Sequence, residues 1–196
     1  RVEYLKQHNF PFALPGRAET CDDAPYLDFD NSVFGARCGE ALHERGRKNV
    51  LIIAPPLDQN YAQHLVNGAN TMAAQLGVTT AILPGATSDC ASAKVSDALS
   101  DYLTKHPDID GIISSSAPVA LAATNVIEKM GRRIGDDIDL AAKEALPLLK
   151  LFRKDILACY EDVGETGDFL AKALIRAIDH PNLPPMQKLI ALDTIN

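Results

Sequence analysis

Tryptophan is missing from this 196-residue chain, cysteine occurs only four times, and acids outnumber cations, with 26 Asp and Glu against 19 Lys and Arg. Each shortage excludes something. A formal charge of -7 leaves no surplus of cations to grip a phosphate backbone, so no DNA-binding face is expected within this chain. Cys21, Cys38, Cys90 and Cys159 form no C-x-x-C pair, which removes the zinc-ribbon and dithiol frames and leaves free thiols in a reducing cytoplasm as the expectation. No run reaches the ~18 to 20 apolar residues of a membrane span, so no membrane partner is expected. No charged-then-apolar leader opens the chain, and Arg1 to His8 already reads as helix, as if the sequence began inside an element.

Catalytic frames are scarce as well. The chain has neither G-x-G-x-x-G nor G-x-x-x-x-G-K-[ST], the glycine loops that cradle dinucleotides and nucleotide phosphates. His8, His43, His64, His106 and His180 never stand four apart as metal ligands on one helix face do, and His43 and His106 read as surface residues near helix ends. Ser114, Ser115 and Ser116 sit between a strand and a helix, where hydrolases place a nucleophile, yet the G-x-S-x-G frame is missing. Their expected roles are to cap the helix that starts near Pro118 or to offer a hydroxyl to a ligand at the strand's carboxyl end. Asp136, Asp137 and Asp139 read as a surface turn leading into a strand rather than as a cation site. The chain is therefore read as a binding protein, not an enzyme, with no cofactor and no metal.

What is present is a regular alternation. Short β-rich runs fall at Phe12 to Leu14, Tyr26 to Phe29, Val50 to Ala54, Thr79 to Leu83, Gly111 to Ser114, Ile138 to Ala142, Ile156 to Tyr160 and Lys188 to Leu192. Most are apolar throughout, the pattern of strands covered by helices on both faces. Helical spacing fills the gaps: Ser32 to Arg45 stops at Gly46, Ala62 to Leu76 at Gly77, Ala91 to Lys105 before Pro107, Pro118 to Met130 at Gly131, and Asp162 to Ile178 before Pro181. Such βαβ grammar predicts an α/β fold with parallel sheets. No linker, repeat or low-complexity tract divides the chain, so a second lobe has to be built by chain crossings.

Several stretches then resemble, in order, the effector domain of the lactose-repressor (LacI/GalR) family, and they cover essentially the whole chain. Phe10-Pro-Phe-Ala-Leu-Pro-Gly-Arg17 resembles the family's strand ending in Gly-Arg, and Tyr26-Leu-Asp-Phe-Asp-Asn31 its "V-D-x-D-N" crossing. Gly35, Ala36, Ala41 and Leu42 follow its "G-x-x-A-x-x-x-L" helix, and Glu44-Arg-Gly-Arg-Lys-Asn-Val-Leu-Ile-Ile53 is similar to "E-R-G-H-R-x-I-x-x-I". Pro107, Asp110 and Gly111 resemble "P-D-G-I", and Met130-Gly-Arg-Arg-Ile-Gly-Asp-Asp-Ile138 resembles "x-G-x-x-I-P-x-D-I". Glu161-Asp-Val-Gly-Glu-Thr-Gly167 with Leu170-Ala-Lys-Ala-Leu-Ile-Arg-Ala-Ile178 is similar to the family's last helix.

The resemblance implies a two-lobed periplasmic-binding-protein-like (type I) fold, parallel sheets flanked by helices, with effector between the lobes. Its N-terminal lobe would hold Arg1 to Asp30 and Asp162 to His180, and its C-terminal lobe Asn31 to Glu161 with 181–196. The first lobe would be incomplete, lacking opening strands and helices as well as the helix-turn-helix headpiece. Carried over position by position, the implied effector-binding residues are Arg17, Tyr61, Leu65, Ser116, Lys143 and Glu144. Leu65 replaces an arginine that the family uses on sugar hydroxyls, with His64 and Asn67 as its possible substitutes; Ser116-Ala117 replaces a polar-Asp pair; Glu144 replaces an aspartate. A family branch that controls oligosaccharide use shares the Gly-Arg end and a lysine at the strand end, which favours a sugar effector. The implied function is the sensing domain of a cytoplasmic, homodimeric repressor that reaches operator DNA through a headpiece absent from this chain. The alternative is an exported solute-binding protein of a sugar transporter.

Overall fold

A computed structural model describes residues 2–17, 23–190 and 195. The elements in chain order are α1 (Val2–Gln7), β1 (Leu14–Pro15), β2 (Tyr26–Phe29), α2 (Asn31–Glu44), β3 (Asn49–Ile53), α3 (Asn60–Leu76), β4 (Thr79–Ile82), α4 (Ser92–Lys105), β5 (Gly111–Ser114), α5 (Ala117–Lys129), β6 (Asp139–Glu144), α6 (Leu148–Phe152), β7 (Leu157–Tyr160), α7 (Val163–Asp179) and β8 (Gln187–Ile190). The α/β class with parallel sheets is as expected: among the described residues every strand pairing is parallel. Helix stops fall where the punctuation predicts. Gly77 takes a left-handed φ of 69° after α3 and its N–H returns to the Ala73 carbonyl, a conformation that costs a residue without Cβ little. Pro118 lies in the first turn of α5, where no N–H is needed.

The chain divides into two units, 1–30 with 162–191 and 31–161 with 192–196. The smaller unit carries a three-stranded sheet in the order β1-β2-β8, against which α7 packs. Its last strand corrects the expectation that all of 181–196 belongs to the other unit: only 192–196 falls there. Gln187 to Ile190 instead runs beside Tyr26 to Phe29, and the Gln187 side-chain amide donates to the Ala24 carbonyl at 3.0 Å. The physical reason is that an unpaired edge of β2 satisfies its backbone groups by taking a parallel neighbour. Ala191 and Leu192 of that expected strand lie outside the described residues. Asp162 caps α7, its Oδ1 accepting from the N–H groups of Gly164 at 2.9 Å and Glu165 at 3.0 Å. Asp162→Ala is expected to lower stability by about 1 kcal/mol, read as a urea midpoint, whereas Asp162→Asn retains most of it.

The larger unit is a five-stranded sheet in the order β4-β3-β5-β6-β7. On one face Leu51, Ile53, Ile112 and Leu140 pack with Val95, Leu99 and Leu103 of α4 and Ala120, Ala123 and Ile127 of α5, all fully buried or nearly so. On the other lies α2, fixed against α3 by two backbone approaches. A Cβ on Gly35 would stand 2.2 Å from the Leu65 carbonyl oxygen, and one on Gly68 only 2.0 Å from that of Ser32. The "G-x-x-A-x-x-x-L" stretch is thus a helix-crossing motif.

Two other motifs hold the amino ends of strands. The Asp110 carboxylate accepts from the backbone N–H of Lys48 at 3.0 Å and of Asn49 at 2.8 Å, tying the start of β3 to that of β5. Asp139 corrects the surface-turn expectation: Asp136 and Asp137 are exposed, but Asp139 is completely buried. It receives Arg45 Nη1 at 2.8 Å and Arg47 Nε at 2.5 Å, so the Glu44-Arg-Gly-Arg47 run folds over it. A buried carboxylate is retained only when paired in this way. Cys38 and Cys159 are buried and Cys90 partly so, all free; Cys21 lies outside the described residues.

Candidate functional site

Parallel α/β sheets gather their ligands outside the carboxyl ends of their strands. In the larger unit that end holds a cavity of about 310 Å³ lined by Ser115 and Ser116 after β5, Ala117 and Pro118 opening α5, Lys143 and Glu144 closing β6, Ala145, Leu146 and Leu148 beyond it, and Glu161 after β7. The βα turn places Ser116 at the N-cap of α5 in extended conformation, with the positive end of that 13-residue helix beside the cavity. The Ser116 hydroxyl makes no capping bond, so the expectation of a serine side-chain cap there does not hold. The Ser114 hydroxyl is turned inward and donates to the Ser116 carbonyl at 2.9 Å.

Two of the cavity's charges serve local structure. Glu144 is 3% exposed, and its Oε2 accepts the Leu149 N–H at 2.7 Å, holding the first turn of α6. Lys143 Nζ donates to Glu161 Oε2 at 2.8 Å and to Asn31 Oδ1 at 3.2 Å. Among the described residues, Ser115 Oγ is buried without a hydrogen-bond partner, as is His64 Nδ1. An unmet buried hydroxyl is costly and gains from any guest that supplies a partner.

Of the six expected binding residues, Ser116, Lys143 and Glu144 come together in this cavity, while Tyr61 and Leu65 are not among its lining residues. Tyr61 is exposed on the first turn of α3; partial burial, with Asp89 and Asp58 nearby, raises its phenol above the ordinary value. Leu65 is corrected: it is 1% exposed and lies at the α2–α3 crossing, where its carbonyl faces Gly35, so its side chain is core. Among its suggested substitutes, Asn67 is exposed and His64 half-buried. Arg17 belongs to the smaller unit, where its Nε donates to Asp28 Oδ2 at 2.7 Å and its Nη2 lies 3.9 Å from Asp30 Oδ1.

Sequence reasoning missed Leu146, Leu148 and Glu161. Helix α6 went unread because Leu146-Pro-Leu-Leu-Lys-Leu-Phe152 is too short for a helical period to show. The signal available was its density of leucine immediately after a strand end.

Comparison with known proteins gives a consistent result. The pattern of the periplasmic binding protein-like domain family matches residues 40–195. The ribose operon repressor of Halalkalibacterium halodurans is 25% identical over 174 residues, covering 89% of this chain and 51% of that protein. Among solved structures, a complex of the transcriptional regulator CelR with cellobiose superimposes with a TM-score of 0.86 at 19% identity, covering 97% of this chain and 59% of the other. A LacI-type regulator from Bacillus cereus subsp. cytotoxis gives a TM-score of 0.89 at 18% identity, covering 100% of this chain and 70% of the other. The chain thus spans about half the length of the curated relative, and these relatives are transcription regulators rather than enzymes. The cavity at the strand ends, the parallel sheets and the family match agree: the chain belongs to the periplasmic binding protein-like domain family.

Proposed function

We propose that this chain is the effector-sensing domain of a bacterial repressor working in the cytoplasm, and that its effector is a carbohydrate. The observation that carries the reading is the cavity at the carboxyl ends of β5 and β6, where Ser116, Lys143 and Glu144 meet. Relatives named as a ribose operon repressor and as a cellobiose-bound regulator support the ligand class. Tyr61, exposed on the first turn of α3, is proposed as a further contact of the larger unit, and Arg17 as a contact of the smaller one. Effector binding stabilises whichever arrangement of the protein it prefers, by its difference in affinity between arrangements. In a homodimer that shift would alter the spacing of two operator-reading heads carried outside this chain.

The test is thermal unfolding of the chain against a panel of mono- and disaccharides, sugar phosphates and organic acids. A true effector at about a hundred times its Kd stabilises by about 2.7 kcal/mol, a shift of several degrees. Ser116→Ala and Lys143→Ala are each expected to weaken binding by about tenfold, the worth of one hydrogen bond to a charged or polar ligand group. A sugar that stabilises the double variant as well as it does the parent overturns the site, and a panel in which only non-sugars stabilise overturns the ligand class.

A further inference from the structure

The cavity is built poorly for a bare polyol. Every sugar hydroxyl taken from water needs a donor or acceptor in return, and leaving one unmet costs more than the bond itself is worth. Here Glu144 already spends an oxygen on the Leu149 N–H, and Lys143 is engaged by Glu161 and Asn31. Leu65 is core, and Ala117 carries no polar group. Against this, Leu146 is 63% and Leu148 44% exposed beside Ala117, Pro118 and Ala145. Open leucines lining a cavity gain most from a guest that covers them with carbon. One lining hydroxyl, Ser115 Oγ, is buried and unpartnered. A guest that brings one polar atom to that depth would relieve it.

We propose that the effector is a glycoside bearing an apolar aglycone, an aryl group above all, and that the aglycone packs on Leu146, Leu148 and Pro118 in this cavity. The inference rests on the sugar-effector reading above and adds the chemical class of the substituent. An aromatic ring matches the wall because it covers a large apolar area while ordering few torsions. Its glycosidic oxygen is an acceptor for the unpartnered Ser115 Oγ.

Isothermal titration of the chain with paired methyl and phenyl glycosides of glucose, galactose, xylose and ribose tests this, with phenol as a third probe. The phenyl member of the recognised pair is expected to bind at least tenfold tighter than the methyl member, about 1.4 kcal/mol. Leu146→Ser and Leu148→Ser together should bring that ratio close to one, with circular dichroism confirming the fold. Equal affinity of the pair overturns the inference and leaves the sugar reading standing. A phenyl preference that survives the leucine changes overturns the placement. Phenol binding as tightly as the phenyl glycoside upholds the apolar site and overturns the sugar reading, and absence of binding by every probe overturns both.

Discussion

Replacing Gly68 with alanine should be among the most damaging single changes in the larger unit, a loss of about 4 kcal/mol or more from a typical total of about 5 to 15. The added methyl carbon would stand 2.0 Å from the carbonyl oxygen of Ser32 and 2.7 Å from its carbonyl carbon. Both belong to backbone, so no rotamer change relieves the overlap; α3 has to lift away from α2 by more than an ångström. That movement opens the layer holding Phe34, Cys38 and Leu42 of α2 and Leu65, Ala69 and Ala73 of α3, all essentially buried. Ordinary overpacking costs about 1 to 3 kcal/mol because side chains give way. Here the helix axis must give way instead, and the lost dispersion contacts extend along the whole crossing. Gly35→Ala meets Leu65 oxygen at 2.2 Å and should behave alike. Gly167→Ala in α7 is the control of opposite sign, since nothing lies within 4 Å of its added carbon. There the substitution should stabilise by about 0.5 kcal/mol through reduced freedom of the unfolded chain. Thermal melts followed by circular dichroism distinguish these outcomes, and a Gly68→Ala melt within a few degrees of the parent would refute the backbone-contact argument.

That crossing also shows what the sequence reveals and what it hides. Apolar runs such as Val50 to Ala54 and Gly111 to Ser114 could be read as buried parallel strands because a strand covered on both faces needs no alternation. Helix ends were legible at Gly46, Gly77 and Gly131, whose φ values of 83°, 69° and 75° are those a left-handed C-cap demands. By contrast, no local pattern says that Gln187 to Ile190 pairs with β2, because pairing joins residues about 160 positions apart in sequence and depends on which edge lacks a neighbour. The site was legible in type more than in detail. Ser116, Lys143 and Glu144 came from the family resemblance, carried over position by position, whereas the engagement of Glu144 with the Leu149 N–H depends on α6, an element too short to announce itself. Leu65 was misjudged because its position along the chain points to a ligand while its place on the helix, three residues before Gly68, points to the crossing. Motif likeness preserves position; packing decides which face that position shows.

Asp139→Ala should be the most damaging change outside that crossing, costing about 3 kcal/mol and lowering the melting temperature by roughly 9 °C for a chain of this size. Asp139 has no exposure to water, and its two carboxylate oxygens each take a different guanidinium, Arg45 at 2.8 Å and Arg47 at 2.5 Å. Removing the carboxylate leaves the Nε–H of Arg47, itself mostly covered, without its acceptor while Nη2 keeps the carbonyls of Gly135 and Asp136, and the uncompensated charge sets the penalty. Arg45 is 41% exposed and recovers hydration, which holds the loss below what two buried cations would give. The exposed Arg37–Glu40 pair at 2.7 Å is the comparison: Glu40→Ala should cost less than about 0.5 kcal/mol, because water screens it. Salt separates the two further, weakening the exposed pair while leaving the Asp139 clamp nearly unchanged. A double change that removes charge on both sides, Asp139→Leu with Arg47→Met, should recover part of the loss, since an apolar pair of similar volume carries no desolvation penalty. The clamp sits at the first residue of β6, and Lys143 and Glu144 close the same strand, so the contact made by the Glu44-Arg-Gly-Arg47 run also fixes where the cavity's charges stand. If Asp139→Ala were to cost no more than Glu40→Ala, the burial of that carboxylate would not be what holds the run in place.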